Sequence, residues 1–499
     1  MSAALETPAN ALFDAASLRA IEARAAQLLG DEFALMQRAG QAAWRELLDR
    51  WPKAQRLLVV CGPGNNGGDG YVLATHARSA GREVRVLHLP EHAPRGVMAQ
   101  RAHAGYADAG GRTETFTGEL PAADVVVDAL FGIGLSRAPD SSVATMIAAV
   151  NAQPAPVFAL DVPSGVDAGL GSAPGVAINA QHTLEFIARK MGLCTGTALD
   201  HAGSLALATL DLPAAAIAGI APVAVCVDTS HLSRWLSPRT RDSHKGSHGR
   251  VLAIGGDHGA GGAIVLCAQA ALRSGAGLVE VVTRQVHVAA LLARLPEAMA
   301  QADDAESLAA GLARADCVAV GPGLGQGSWG QALFARALAA GKPLLLDADA
   351  LNLLAVHAAP LPPDSILTPH PGEAARLLGI STAQVQQDRY ASVHALRDRH
   401  GCVVVLKGAG TLIAAPGETT CVIAAGNPGM AVGGMGDVLS GVIAALRAQG
   451  LRAFDAAVCG ALLHAAAGDA AARDGGERGL LPSDLMPWLR RLANPGGGR

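Results

Sequence analysis

The chain has 499 residues, half of them hydrophobic, with 60 glycines, eight cysteines and a net charge of −4. At roughly 100–200 residues per domain this length calls for two or three domains. The near-neutral balance and 3% aromatic content argue against nucleic acid, an anionic membrane or a base-stacking platform as partner.

The opening MSAALETPANALFD lacks the basic start and apolar middle of a secretion signal. The eight cysteines lie far apart with no C-x-x-C, so neither a zinc site nor a disulfide frame is indicated. Both features predict a cytoplasmic protein. Ser17 to Leu48 has helical periodicity. Short apolar runs follow at Leu57–Cys61, Val84–His88, Val125–Leu130, Val157–Asp161, Thr183–Ile187 and Leu205–Asp211, with alanine-rich helical stretches between several of them. That rhythm predicts a doubly wound parallel sheet, a Rossmann-like three-layer α/β/α sandwich.

From Pro213 to Ser243 the pattern loosens. Leu212 to Val227, cut by Pro213 and Pro222, reads as a linker, and no apolar run reaches the roughly 18 residues of a membrane span. A second alternation follows: Arg250–Gly256, Leu278–Thr283, Cys317–Gly323, Pro343–Asp349, Ser365–His370, Val403–Gly410, Thr411–Ala415 and Cys421–Ala425. The expected organisation is therefore α/β throughout, in two different domains, residues 1–220 and 221–499. The alanine-rich helices suit a core or a homo-oligomer interface equally.

In both halves glycine and acid clusters follow strand ends, where open parallel sheets hold their ligands. In the first, Gly62-x-Gly64-x-x-Gly67 lies between strand and helix, a pattern that fits dinucleotide phosphate binding and also a plain tight turn. The loop Asn65-Asn66-Gly67-Gly68-Asp69 adds two amides and a carboxylate, more than a turn needs. Asp128 and Asp161 end strands; each alone fits a cap, and both beside that loop fit a site. Asn66, Asp128 and Ser164 offer oxygen donors with one formal charge, which suits K⁺. Lys190 is one of only five lysines among 39 basic residues, and is a candidate acid/base or phosphate partner.

GNNGGDG, DALFGIG and LDVPSGVD together resemble the NAD(P)H-hydrate epimerase family over about residues 15–212. The resemblance implies that Asn65, Asn66, Gly67, Gly68, Asp69, the run Gly132, Ile133, Gly134, Leu135, Ser136, Arg137, Ala138, and Asp161 contact the hydrated dinucleotide. It further implies that Asn66, Asp128 and Ser164 hold K⁺ and that Asp161 and Lys190 handle protons.

In the second half the Gly433-Gly434-Met435-Gly436 turn runs into a helix expected to begin at Asp437. Free amides and the helix dipole there suit a transferring phosphoryl group, with Asp437 placed to take a hydroxyl proton. An aspartate N-cap explains Asp437 equally well, but not the glycines before it. No Walker A sequence is present. His370 and Glu373 in TPHPGE, the acids of DADALN, Lys407 to Thr411 and GPGLG complete the set.

HKG–GRVLAIGG, TPHPGE, KGAGT and GGMGDVLSG occur in the order of the ADP-dependent NAD(P)H-hydrate dehydratases, a branch of the ribokinase-like fold, and resemble that family over about residues 225–492. His370-Pro-Gly-Glu373 stands where sugar kinases tend to have Asn-x-x-Glu. The resemblance implies hydrate contacts at Ala263, Gly323, His370 and Asp437. It implies nucleotide contacts at Lys407, Gly408, Ala409, Gly410, Thr411 and Gly436, with Asp437 catalytic, Mg²⁺ near Glu373 and ADP as phosphoryl donor. The substrates expected are NADHX and NADPHX, interconverted at C6 by the first half and dehydrated by the second. Two rivals remain: an NAD(P)-dependent oxidoreductase fused to a small-molecule kinase, and a non-catalytic binding module attached to a dehydratase.

Overall fold

A computed structural model describes residues 9–495 apart from Ser136 and Asp303. The chain divides into two compact units, one ending at Val225 and the other running from Cys226.

The first unit opens with strand β1 (Ala11–Phe13) and helices α1 (Ala15–Leu29) and α2 (Glu32–Arg50). The stretch of helical periodicity from Ser17 to Leu48 is helical, in two pieces, and it breaks at Gly30-Asp31 for a local reason. Gly30 takes φ 71° and closes α1, and the Asp31 carboxylate caps α2 by accepting from Phe33 N at 2.9 Å. There follow β2 (Arg56–Cys61), α3 (Asn65–Ser79), β3 (Glu83–His88), α4 (Val97–Asp108), β4 (Thr113–Thr115), β5 (Val125–Ala129), α5 (Ser141–Asn151) and β6 (Val157–Leu160). After them come β7 (His182–Phe186), β8 (Arg189–Lys190), α6 (Ala198–His201), β9 (Ser204–Ala208), α7 (Ala214–Ile217) and β10 (Ala224–Val227).

Strands order β4-β3-β2-β5-β6-β7-β9, all parallel. Leu57, Val59 and Cys61 of β2 pack into the core beneath α2 and α3, while Leu58 and Val60 join the core beneath α5. Alternation along a strand sends successive side chains to opposite faces, so both faces are covered and three layers result. The chain runs outward from β2 through β3 to β4, then returns to β5 on β2's other side. That reversal opens the crevice between the ends of β2 and β5. The expected linker from Leu212 to Val227 instead contains α7 and β10, and Ala224 and Val225 pair antiparallel with Leu12 and Ala11.

The second unit contains β11 (Arg250–Ile254), α8 (Gly261–Arg273), β12 (Leu278–Thr283), α9 (Gln285–Arg294), β13 (Met299–Ala302), α10 (Ala305–Arg314), β14 (Cys317–Val320), α11 (Ser328–Ala339), β15 (Leu344–Leu346) and α12 (Ala348–Val356). It continues with β16 (Ile366–Leu367), α13 (Pro371–Leu378), α14 (Thr382–Gln387), α15 (Arg389–His400), β17 (Val403–Leu406), β18 (Leu412–Ala414), β19 (Thr420–Ile423), α16 (Met435–Ala448), α17 (Ala453–Gly475) and α18 (Leu485–Leu492). Its strands order β13-β12-β11-β14-β15-β16-β17-β18-β19, parallel as far as β17 and antiparallel beyond. Here the reversal lies between β11 and β14.

α16 packs on α8 so closely that a Cβ at Gly441 would collide with Cys267 O. All eight cysteines are free thiols and buried. Among the described residues no helix is long and apolar enough to cross a membrane.

Candidate functional sites

In the first unit a cleft of about 650 Å³ opens at the β2/β5 reversal. Asn65, Asn66 and Asp69 from the start of α3, Gly132, Ile133 and Gly134 after β5, and Asp161 after β6 line it. The glycines have distinct roles. A Cβ at Gly67 would collide with Gly62 O and one at Gly68 with Met36, so both allow α3 to start close to its neighbours. At Gly132 a Cβ would lie 3.1 Å from Asp161 Oδ2 and 3.7 Å from Asn66, which places those two side chains beside one another. Leu135, Arg137 and Ala138 do not line the cleft, and Ser136 lies outside the described residues.

Asn66 is 8% exposed, and neither its amide oxygen nor its nitrogen has a partner. A buried amide left unpaired costs free energy unless a ligand or ion completes it. Asp128 and Ser164 are locked together. Ser164 N donates to Asp128 Oδ2 at 2.8 Å, and Ser164 Oγ donates to Oδ1 at 2.7 Å. Burial pushes the Asp128 carboxyl up to about 6, and the bonds from Ser164 and Leu130 N oppose that rise.

Asp161 occupies the left-handed region, φ 66°, which L-residues other than asparagine and aspartate rarely adopt. Its Oδ1 is engaged by the Lys190 ammonium and by Phe186 N at 3.0 Å. Lys190 is 1% exposed, and Nζ also donates to Phe186 O at 2.7 Å and Ala188 O at 3.1 Å. All three ammonium donors are thus used, and Lys190 holds Asp161 in place. Glu22 and Arg19 of α1 complete the wall and carry no sequence mark.

In the second unit the glycine turn delivers α16. The helix begins at Met435, two residues before the expected start, with Gly434 at φ 98° as its cap and no side-chain cap bond. Asp437 therefore sits in the first turn and is not an N-cap. Burial, then the Asp347 carboxylate, pushes its carboxyl up to about 7, against the pull of Lys407.

Lys407, just past β17, donates to Asp347 Oδ1 at 2.6 Å and lies 3.8 Å from Glu373 Oε2. Ser440 Oγ, one turn along α16 from Asp437, donates to Asp347 Oδ2 at 2.8 Å. Lys407 and these bonds hold the buried Asp347 carboxyl below its usual range despite desolvation. A Cβ at Gly436 would stand 3.2 Å from Lys407 Nζ and 3.5 Å from Asp347 Oδ2. Gly436, Asp437, Lys407, Asp347 and Glu373 thus share one centre.

His370 caps α13, with Nδ1 accepting from Gly372 N at 2.9 Å. Nε2 lies 3.3 Å from Glu373 Oε1, and Glu373 Oε2 accepts from His370 N at 2.8 Å. Burial and the Lys407 charge lower the His370 pKa. Gly408 to Thr411 form the turn between β17 and β18, with Thr411 Oγ1 donating to Gly408 O at 3.0 Å. Ala263 and Gly323 meet at the β11/β14 reversal, where a Cβ at Gly323 would be 3.2 Å from that of Ala263. Sequence reasoning passed over His464 of α17, whose buried Nε2 has no partner and whose pKa burial lowers to about 4.

Comparison with known proteins gives the same two regions. A family model described as "YjeF-related protein N-terminus" matches residues 32–192, and one described as "NAD(P)H-hydrate dehydratase" matches residues 251–491. The chain is 46% identical over 484 residues to the bifunctional NAD(P)H-hydrate repair enzyme Nnr of Escherichia coli, covering 96% of this chain and 93% of that one. It is 45% identical to the Coxiella burnetii enzyme of the same name, covering 97% and 99%. A ribokinase-like superfamily protein of Enterococcus faecalis superimposes with TM-score 0.51 at 30% identity, over 54% of this chain and 95% of that one. A hypothetical protein of Streptococcus mutans gives TM-score 0.51 at 35% identity, over 54% and 99%.

Proposed function

Because the chain belongs to the bifunctional NAD(P)H-hydrate repair enzymes, we propose that its two crevices divide the repair between them. The enzyme epimerises hydrated NAD(P)H at C6 and dehydrates it back to NAD(P)H. The first cleft takes the epimerisation and the centre around Asp437 takes the dehydration. The carrying observation is the Asp437 carboxyl, held near neutrality at the glycine-rich start of α16 beside the Lys407–Asp347 pair.

Hydroxide is a poor leaving group from C6, and phosphorylation of the C6 hydroxyl replaces it with phosphate. Asp437 takes the hydroxyl proton, and the oxygen attacks the terminal phosphoryl group of ADP. Lys407 and the first amides of α16 stabilise the charge that develops. The ring nitrogen's electron pair then expels phosphate, and loss of the C5 proton restores the dihydronicotinamide, leaving AMP. Gly408 to Thr411 line the nucleotide side, and Ala263, Gly323 and His370 the hydrate side.

Among the described residues no three His, Cys, Asp or Glu side chains form a metal cage. Mg²⁺ usually takes one or two protein acids and completes its shell with phosphate oxygens, which the carboxylates of this centre suit. Glu373 would hold it, and the ion would supply positive charge at the phosphates. The unpaired Asn66 amide of the first cleft, with the buried oxygens of Asp128 and Ser164, fits K⁺, which would supply fixed charge beside the dinucleotide. Asp161, held by Lys190, stabilises positive charge on the ring during epimerisation. Buried free thiols support a reducing cytoplasm.

The test is to mix the full chain with the S-hydrate of NADPH, Mg²⁺ and either ADP or ATP. Recovery of dihydronicotinamide absorbance with stoichiometric AMP is expected with ADP. Equal recovery by Asp437→Asn overturns the assignment.

A further inference from the structure

Epimerisation at C6 needs a group that carries a proton to the ring hydroxyl and takes one back. Of the two residues first expected to do this, Lys190 has no donor left, and Asp161 is fixed through Oδ1 by Lys190 and Phe186 N, with Oδ2 turned to the cleft as a counter-charge. Glu22 is not fixed in this way. It stands on α1 in the same cleft as Asp161 and Asp69, half-buried, and makes no hydrogen bond or ion pair among the described residues. A carboxylate drawn partly out of water without a partner is costly, and such groups concentrate where a substrate completes them.

Resting on the epimerase reading of this cleft, we propose that Glu22 is a catalytic residue of the epimerisation, the side chain that gives and takes the proton at the C6 oxygen.

Burial raises the Glu22 pKa, and Asp161 adds to the rise; Lys190 and Arg19, the latter on its own helix, pull it down. Asp69 is pushed well up, by burial first and then by Asp161 and Glu22, against the pull of Lys190.

The step balances with no added co-reactant. The Glu22 carboxylic acid protonates the C6 hydroxyl, and the C6–O bond breaks with its electron pair leaving in water. The ring nitrogen's pair forms N1=C6, a cation faced by the Asp161 carboxylate. Water adding to the opposite face yields the other epimer and releases one proton to the water of the cleft, which returns it to the Glu22 carboxylate.

The full chain is incubated with R-hydrate in the absence of nucleotide, so that dehydration is silent, and the epimers are separated by chiral chromatography. Glu22→Gln is expected to lower kcat for exchange about 100-fold or more with KM nearly unchanged, in the range of a lost general acid–base group. Wild-type exchange falls as pH rises past the raised Glu22 pKa, and this limb is absent from Glu22→Gln. Should Glu22→Gln fold poorly, judged by its melting temperature, Glu22→Ala with added formate replaces it, and recovery of exchange is expected. Exchange by Glu22→Gln at the wild-type rate, or Glu22→Ala unmoved by formate, overturns the proposal. Absence of exchange in the wild type would instead overturn the epimerase reading of the cleft.

Discussion

As the proposed base of the dehydration, Asp437 would couple catalysis to a cost in stability. A general base works deprotonated, so the dehydration rate should rise with pH through about 7 and level off above it. Asp437→Asn should remove that dependence together with most of kcat. Folding has the opposite sign. The native carboxyl keeps its proton to about 7, whereas the unfolded one releases it near the ordinary aspartate value. The native state therefore binds more protons between those limits, and wild-type stability falls as pH rises through them. Asp437→Asn should be more stable than wild type by about 2 kcal/mol above neutrality, with the gap closing on acidification, as denaturant melts at several pH values would show. Asp437 was legible in the sequence because three glycines announce its turn. Glu22 was not, because a glutamate on an amphipathic helix looks like any solvated one until α1 is laid along the cleft.

Among elements, α16 carries the most consequence. Its first turn presents Asp437 and its body is pressed against α8. Gly441→Ala drives a methyl into Cys267 O, and overpacking of this kind costs about 1–3 kcal/mol. Gly433→Ala meets nothing within 4 Å and should leave the melting temperature unchanged. A displaced α16 also moves Asp437, so Gly441→Ala should lose dehydration rate at temperatures where it remains folded, while epimer exchange is untouched.

The long parallel strands were readable as apolar runs ended by glycine or acid. Pieces of two to four residues such as β1, β8 and β10 were not, because their pairing comes from chain segments far away in sequence. The break at Gly30-Asp31 was available: glycine before an aspartate is a helix stop followed by a helix start. Helical periodicity continuing on both sides concealed it.

For the molecule as a whole, the two units bear separable chemistry. Asp161→Ala should stop epimer exchange yet leave dehydration of the S-hydrate at the wild-type rate. Asp437→Asn should show the reverse. Either variant alone leaves part of a mixed hydrate pool unrepaired. Equal amounts of the two in one solution should repair all of it, more slowly at low protein concentration because the intermediate must diffuse between chains. Failure of that mixture at high concentration would mean that the activities are not independent. The oxidoreductase rival fails at this scale, since the E. coli and Coxiella repair enzymes match over nearly the entire chain. The binding-module rival is tested by Asp161→Ala.

The eight buried thiols give the protein an internal clock for its own opening. Cys61 and Cys194 belong to the first unit, and Cys226, Cys267, Cys317, Cys402, Cys421 and Cys459 to the second. An alkylating reagent reaches none of them in the native chain. Each labelled position, read by peptide mass, therefore dates the loosening of its own neighbourhood, and the two halves can be timed in a single tube without adding a probe.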